Sequence, residues 1–185
     1  MIGYIIITIV ILFIIWFILT SNSLIAKRNR VKQCESGICV ALKQRNDLIP
    51  NLISAVKAYM KYEDETLTKI TELRTKATEA ITEQEQIKTG NELSAILPRI
   101  QATAEKYPEL KANEQFVKLQ NSLDEMEWQL QAIRRTYNAA VTDYNNAIEM
   151  FPSSWVASCK KHTCAPLIEI PEIEQKNINI NELLK

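Results

Sequence analysis

Glycine and histidine are nearly absent: the 185 residues include three Gly and one His, with six Pro. So few Gly and Pro cannot serve the many tight turns of an all-β sandwich or barrel. Collagen-like and Pro/Gly-rich disordered chains are excluded on the same ground. One His leaves no multi-histidine metal centre, and three Gly leave no glycine-rich phosphate loop. Charge of one sign is missing as well. The 22 basic and 22 acidic residues cancel, so nothing pulls the chain toward nucleic acid. The length fits one domain, occasionally two. These absences leave a mostly helical, non-catalytic chain.

Charge is missing in a second, local sense. Residues 1–20, MIGYIIITIVILFIIWFILT, carry no charged side chain. Ile2 to Leu19 is apolar apart from Gly3 and Thr8, and as a helix it spans about 27 Å, close to the hydrocarbon core of a bilayer. In lipid a single segment satisfies its backbone only as a helix, which overrides the strand preference of so many Ile. Tyr4 and Trp16 fit interfacial anchoring at the two ends. No Lys or Arg precedes the run and no A-x-A site follows it, so a retained anchor is expected rather than a cleaved signal. Lys27, Arg28, Arg30 and Lys32 follow, which predicts the N-terminus outside and the body in the cytoplasm.

The body reads as long amphipathic helices. A first helix continues from the anchor to a turn expected at 44–50, where Pro50 would start the next. A second runs from Asn51 into the eighties on the stripe Ile53, Val56, Met60, Leu67, Ile70, Ala77 and Ile81, with Glu63 filling a gap and Lys57 and Lys61 on the other face. Gly90-Asn91 is expected to end it and cap a third helix over about 92–106, kinked or shifted by Pro98 and closed by Tyr107-Pro108. The fourth has Phe116, Leu119, Leu123, Met126, Leu130, Ile133, Tyr137, Ala140, Tyr144 and Ala147 in alternating steps of three and four, and it ends at Phe151-Pro152. The expected architecture is all-α: a transmembrane helix over 1–20, an antiparallel four-helix bundle over 21–157, and an irregular, partly disordered tail over 158–185.

Three stretches together resemble the LemA family of bacterial membrane-anchored helical proteins: LKQRNDLIPNLISAVKAYMKYE at 42–63, EKYPELKANEQFVKLQNSL at 105–123, and Glu127 through Arg135, Tyr137-Asn138, Val141 and Tyr144-Asn145 to Phe151-Pro152. The anchor, the basic segment after it and the opening MIGYII are of the family type. The resemblance covers roughly residues 1–157 and implies one transmembrane helix with a four-helix body. It carries over no catalytic residue, cofactor or named partner. The family pattern has an aromatic stretch near 158–164, where this chain has SCKKHTC.

Several constellations are candidates for chemistry or recognition. Asn113, Gln120, Glu127 and Arg134 recur every seven residues beside the apolar seam, with Asn138 and Asn145 at the same interval one face over. They read as a partner-recognition strip or as interhelical hydrogen bonds that fix register. Arg45, Asp47, Pro50 and Asn51 mark the first turn, as a surface contact or as a local cap with Arg45 in an ion pair. Cys34/Cys39 and Cys159/Cys164 form two C-x4-C pairs, with His162 inside the second. The i, i+5 spacing of the first pair suits no shared ion on a helix, and a cytoplasmic location disfavours a lasting disulfide in the second. No metal, cofactor, small-molecule substrate or catalytic residue is therefore expected. The expected partners are the bilayer, met through Ile2, Tyr4, Trp16 and Leu19, and a protein. The function expected is a membrane-tethered scaffold or interaction module, the alternative being an envelope-associated redox- or metal-responsive sensor built on the tail cysteines.

Overall fold

The computed structural model describes residues 1–57, 59 and 64–168. Every regular element among them is an α-helix: α1 Ile2–Lys57, α2 Asp64–Glu79, α3 Glu83–Ala104, α4 Pro108–Lys111, α5 Glu114–Glu149 and α6 Ser153–Cys159. The N-terminal part of α1 is long and apolar enough to cross a membrane, and none of that stretch is buried within the molecule.

Helix boundaries differ from the sequence expectation at three places. The turn at 44–50 does not form, because α1 runs through Pro50 to Lys57. An interior proline costs about 3 kcal/mol, but Ile49, Leu52 and Val56 are buried on either side of it, each contributing roughly 1.5–3 kcal/mol. Burial therefore outweighs the lost hydrogen bond. The helix expected to reach the eighties stops at Glu79, so Ile81 lies outside it, fully exposed. The following helix starts at a capping box: the Glu85 amide donates to Thr82 Oγ1 at 3.2 Å, and the Thr82 amide to Glu85 Oε2 at 3.3 Å. Gly90 consequently lies inside α3 rather than at a helix end, and Pro98 lies inside the helix as expected. Met60, Lys61 and Glu63 of the expected second stripe, and the tail from residue 169, lie outside the described residues.

The described chain divides into two compact units. The first holds Met1–Glu35 with Arg135–Ile168. Its buried side chains include Leu24, Val31, Tyr137, Val141, Tyr144, Ile148 and Val156. α6, which ends two residues into the expected tail, buries Val156 and Ala157. It closes with the amide of His162 donating to the Ala157 carbonyl at 3.0 Å. Lys161, at φ 53°, takes the left-handed position that glycine usually fills.

The second unit is Ser36–Arg134 over its described residues. One continuous core joins Ile49, Leu52 and Val56 of α1 to Leu67, Ile70 and Leu73 of α2, Leu93 and Ile100 of α3, Leu110 of α4, and Phe116 and Leu123 of α5. Tyr107-Pro108 separates α3 from α4 as expected, with Pro in the first turn of α4. On α5 the seven-residue series is buried in this unit at Phe116, Leu123 and Leu130, and in the first unit at Tyr137 and Tyr144. This is what its 3/4 stepping requires of a core-facing seam.

Candidate functional site

Two polar constellations stand out, one in each unit. In the second unit Arg45 and Arg134 are each only 1% exposed. Burying a guanidinium demands partners, and neighbouring helices supply them. Arg45 Nη1 donates to Glu127 Oε2 at 2.8 Å and also bonds Ser94 Oγ; Nη2 donates to the Gly90 carbonyl at 2.7 Å. Arg134 Nη2 donates to Asn91 Oδ1 at 2.7 Å, and its Nη1 lies 3.6 Å from Glu127 Oε1. Ser94 Oγ is also 3.2–3.3 Å from both Glu127 oxygens.

Local sequence explains why these groups converge. Glu127 and Arg134 are two turns apart on one face of α5, and Gly90 and Ser94 are one turn apart on α3. Gly90 is needed for the approach: a Cβ there would stand 2.5 Å from Cδ2 of the buried Leu42. Burial pushes the Arg45 pKa down, with the Glu127 charge and hydrogen bond opposing it and Arg134 adding to it. Beside the cluster lies a half-open cleft of about 80 Å3, lined by Leu52, Leu97, Phe116, Leu123, Gln120 and Glu127. A volume of this order is well below the roughly 300–1,000 Å3 of ordinary small-molecule sites. The chemistry of the cluster is to tie α1, α3 and α5 together by charge-assisted hydrogen bonds.

In the first unit the two Tyr-Asn pairs of α5 hold the chain after α6. The Asn138 amide bonds both backbone groups of Ile168, and the Asn145 amide both of Ala165, all at 2.9–3.0 Å. Tyr137 donates its hydroxyl to the Pro166 carbonyl at 3.0 Å, and the Tyr144 hydroxyl is 2.9 Å from His162 Nδ1. Residues 162–168 thus run as a strap against the direction of α5. The seven-residue repeat of Tyr-Asn puts both pairs on one helical face, and each carboxamide offers one donor and one acceptor to a backbone. Burial, then the nearby Arg28 and Lys160 charges, hold the His162 pKa below its ordinary value.

The remaining sequence candidates fall elsewhere. Asn113 caps α5, its Oδ1 accepting from the amides of Gln115 and Phe116, while its Nδ2 donates to Tyr59 at 3.1 Å. Gln120 lines the cleft. Asp47 and Asn51 are exposed on the continuous α1, so neither caps a helix there, and Pro50 is half-buried in the same helix. Cys159 and Cys164 are exposed thiols. Cys164 donates to Glu149 Oε1 at 3.2 Å, and that bond pushes the thiol pKa up, away from the reactive thiolate. Gly90, Asn91 and Ser94 as partners of the buried arginines escaped the sequence reading. They lie more than 40 residues from those arginines, and no short-range pattern announces them.

Fold and site together define a helical protein with an N-terminal helix apolar enough to span a membrane, a buried arginine–glutamate cluster between helices, and a Tyr-Asn repeat that holds a strap. The model of the LemA family matches residues 34–181, and the chain belongs to that family. It is similar to Protein LemA of Metamycoplasma hominis, 26% identical over 183 residues that take in 92% of this chain and 84% of the relative. The family match starts beyond the apolar segment and reaches further into the tail than the motifs singled out in the sequence.

Proposed function

We propose that the protein is a single-pass, membrane-anchored helical scaffold without catalytic activity. Its body is an antiparallel four-helix bundle in the cytoplasm, held at the bacterial inner membrane to engage a protein partner. The observation that carries this reading is the continuity of α1 within the first unit: the same helix carries the apolar segment and the buried Leu24 and Val31. The conspicuous polar groups add support, since Arg45 and Arg134 each pair with Glu127 and the Tyr-Asn pairs bond the strap. An anchor raises the effective concentration of the body toward anything else at the same membrane. Trp128, 71% exposed on α5, is the side chain best suited to contact a partner.

The test is photocrosslinking in intact cells from a benzoylphenylalanine placed at position 128, followed by alkaline extraction of the membranes. The expected result is a discrete adduct that stays in the extracted membrane fraction. It should disappear when the chain is expressed without residues 1–20. Recovery of the full chain in the soluble fraction would contradict the anchor, and a membrane-bound chain without a discrete adduct would contradict the scaffold.

A further inference from the structure

The apolar segment is not the only part of the first unit that displays large apolar side chains. Where α5 ends and α6 begins, Met150, Phe151 and Trp155 are 64, 88 and 54% exposed. Three such residues within six positions form a patch that water disfavours. Its place in the unit says what covers it. The Trp155 ring packs against Phe13, with centroids 5.7 Å apart, and Phe13 packs against Trp16 at the same distance. Phe13 lies inside the uncharged run, six residues before Leu19, which is about 9 Å of helix.

A residue in ring contact with Phe13 sits at the depth of Phe13. If α1 crosses a bilayer, Trp155 is therefore below the level where the apolar run ends. The chain then returns toward water: His162 bonds Tyr144 and feels the charge of Arg28, which follows the anchor. The exposed Lys160 and Lys161 come between Trp155 and His162 in the chain. Glu149, the last acid before the patch, is engaged by the Cys164 thiol of the strap. Apolar rings below and lysines above are the side chains that the acyl boundary and anionic headgroups accept.

We propose that Met150–Lys161 is a second membrane-contacting element, in which Met150, Phe151 and Trp155 enter the acyl–headgroup boundary beside α1 and Lys160 and Lys161 meet anionic headgroups. The segment thereby pins the C-terminal end of α5 to the bilayer. The inference rests on the reading of α1 as an anchor, and the test separates the two. The chain has three Trp, at 16, 128 and 155. Two full-length variants are reconstituted in vesicles of phosphatidylcholine and phosphatidylglycerol with brominated acyl chains. One keeps only Trp155 (W16F, W128F) and the other only Trp16 (W128F, W155F).

The expected result is loss of Trp155 emission to bromine near the carbonyl end of the acyl chain, and less loss to bromine near the methyl end. Adding F151S and M150S should weaken that quenching and leave Trp16 unaffected. Quenching of Trp16 with none of Trp155 overturns the second contact alone. No quenching of either overturns the anchor and the inference with it. Emission from Trp155 that is blue-shifted, unquenched and dependent on protein concentration overturns the proposal in favour of a second copy covering the patch.

Discussion

Glu127 receives hydrogen bonds or charge from two arginines that are each almost wholly buried. Removing one member of a buried charge set is far more damaging than never having built it, because its partners stay desolvated. Glu127→Gln should therefore lower stability by about 3 kcal/mol. Glu125→Gln, two residues earlier on the exposed face, should change it by less than about 0.5 kcal/mol. Thermal melts of the full chain in detergent followed by circular dichroism compare the two, and equal melting temperatures would remove the cluster from the account. Gly90 gives a second case. In a helix interior Ala exceeds Gly by about 1 kcal/mol. At position 90 that gain should not appear, because the added Cβ meets Leu42 at 2.5 Å in a packed core. A Gly90→Ala chain that melts higher than the parent would contradict the close approach of α1 and α3.

Elements differ in how openly their sequences announce them. The apolar run and α5 were legible in the sequence, since one needs only absence of charge and the other only a regular seam. Pro50 and Gly90 misled, because their local preference for breaks is overruled by Ile49, Leu52 and Leu93 buried around them. The true break was signalled by Thr82-x-x-Glu85, a weaker local sign than Pro or Gly yet the one the fold uses. Thr82→Ala should cost about 1 kcal/mol and fray α3 at its start, visible as faster amide exchange in its first turn.

The strap was legible only as its receptor: the Tyr-Asn repeat stood out, but what it holds lies in aperiodic sequence. Asn138→Ala removes two hydrogen bonds of about 1 kcal/mol each, so the Ile168 amide should exchange about tenfold faster or more. Strap docking should also depend on pH. His162 is held below its ordinary pKa, so protons bind the released strap better than the docked one. Docking is then complete above the ordinary value of about 6.5 and is lost as pH falls through the lowered one. Exchange at Ala165 between about pH 7 and 5, corrected for intrinsic rates, checks this, and His162→Gln should abolish the dependence.

At the scale of the molecule, cancelling charge hides a division. All formal charges lie beyond residue 20, where both signs are distributed along the helices, and the first twenty residues have none. That contrast marks the membrane-compatible segment. The pairing of distant arginines with Glu127 could not be read the same way, because it depends on which helices meet. The central claim is that α1 fixes a cytoplasmic body to the membrane. Labelling of single-cysteine chains with a membrane-impermeant maleimide tests it most directly, with the four native cysteines replaced by Ser and one cysteine introduced by Ile2→Cys, Glu79→Cys or Glu109→Cys. The account predicts that intact cells label the chain at position 2, and that positions 79 and 109 label only after the membrane is opened. Labelling at 79 or 109 in intact cells, with position 2 protected, would contradict it.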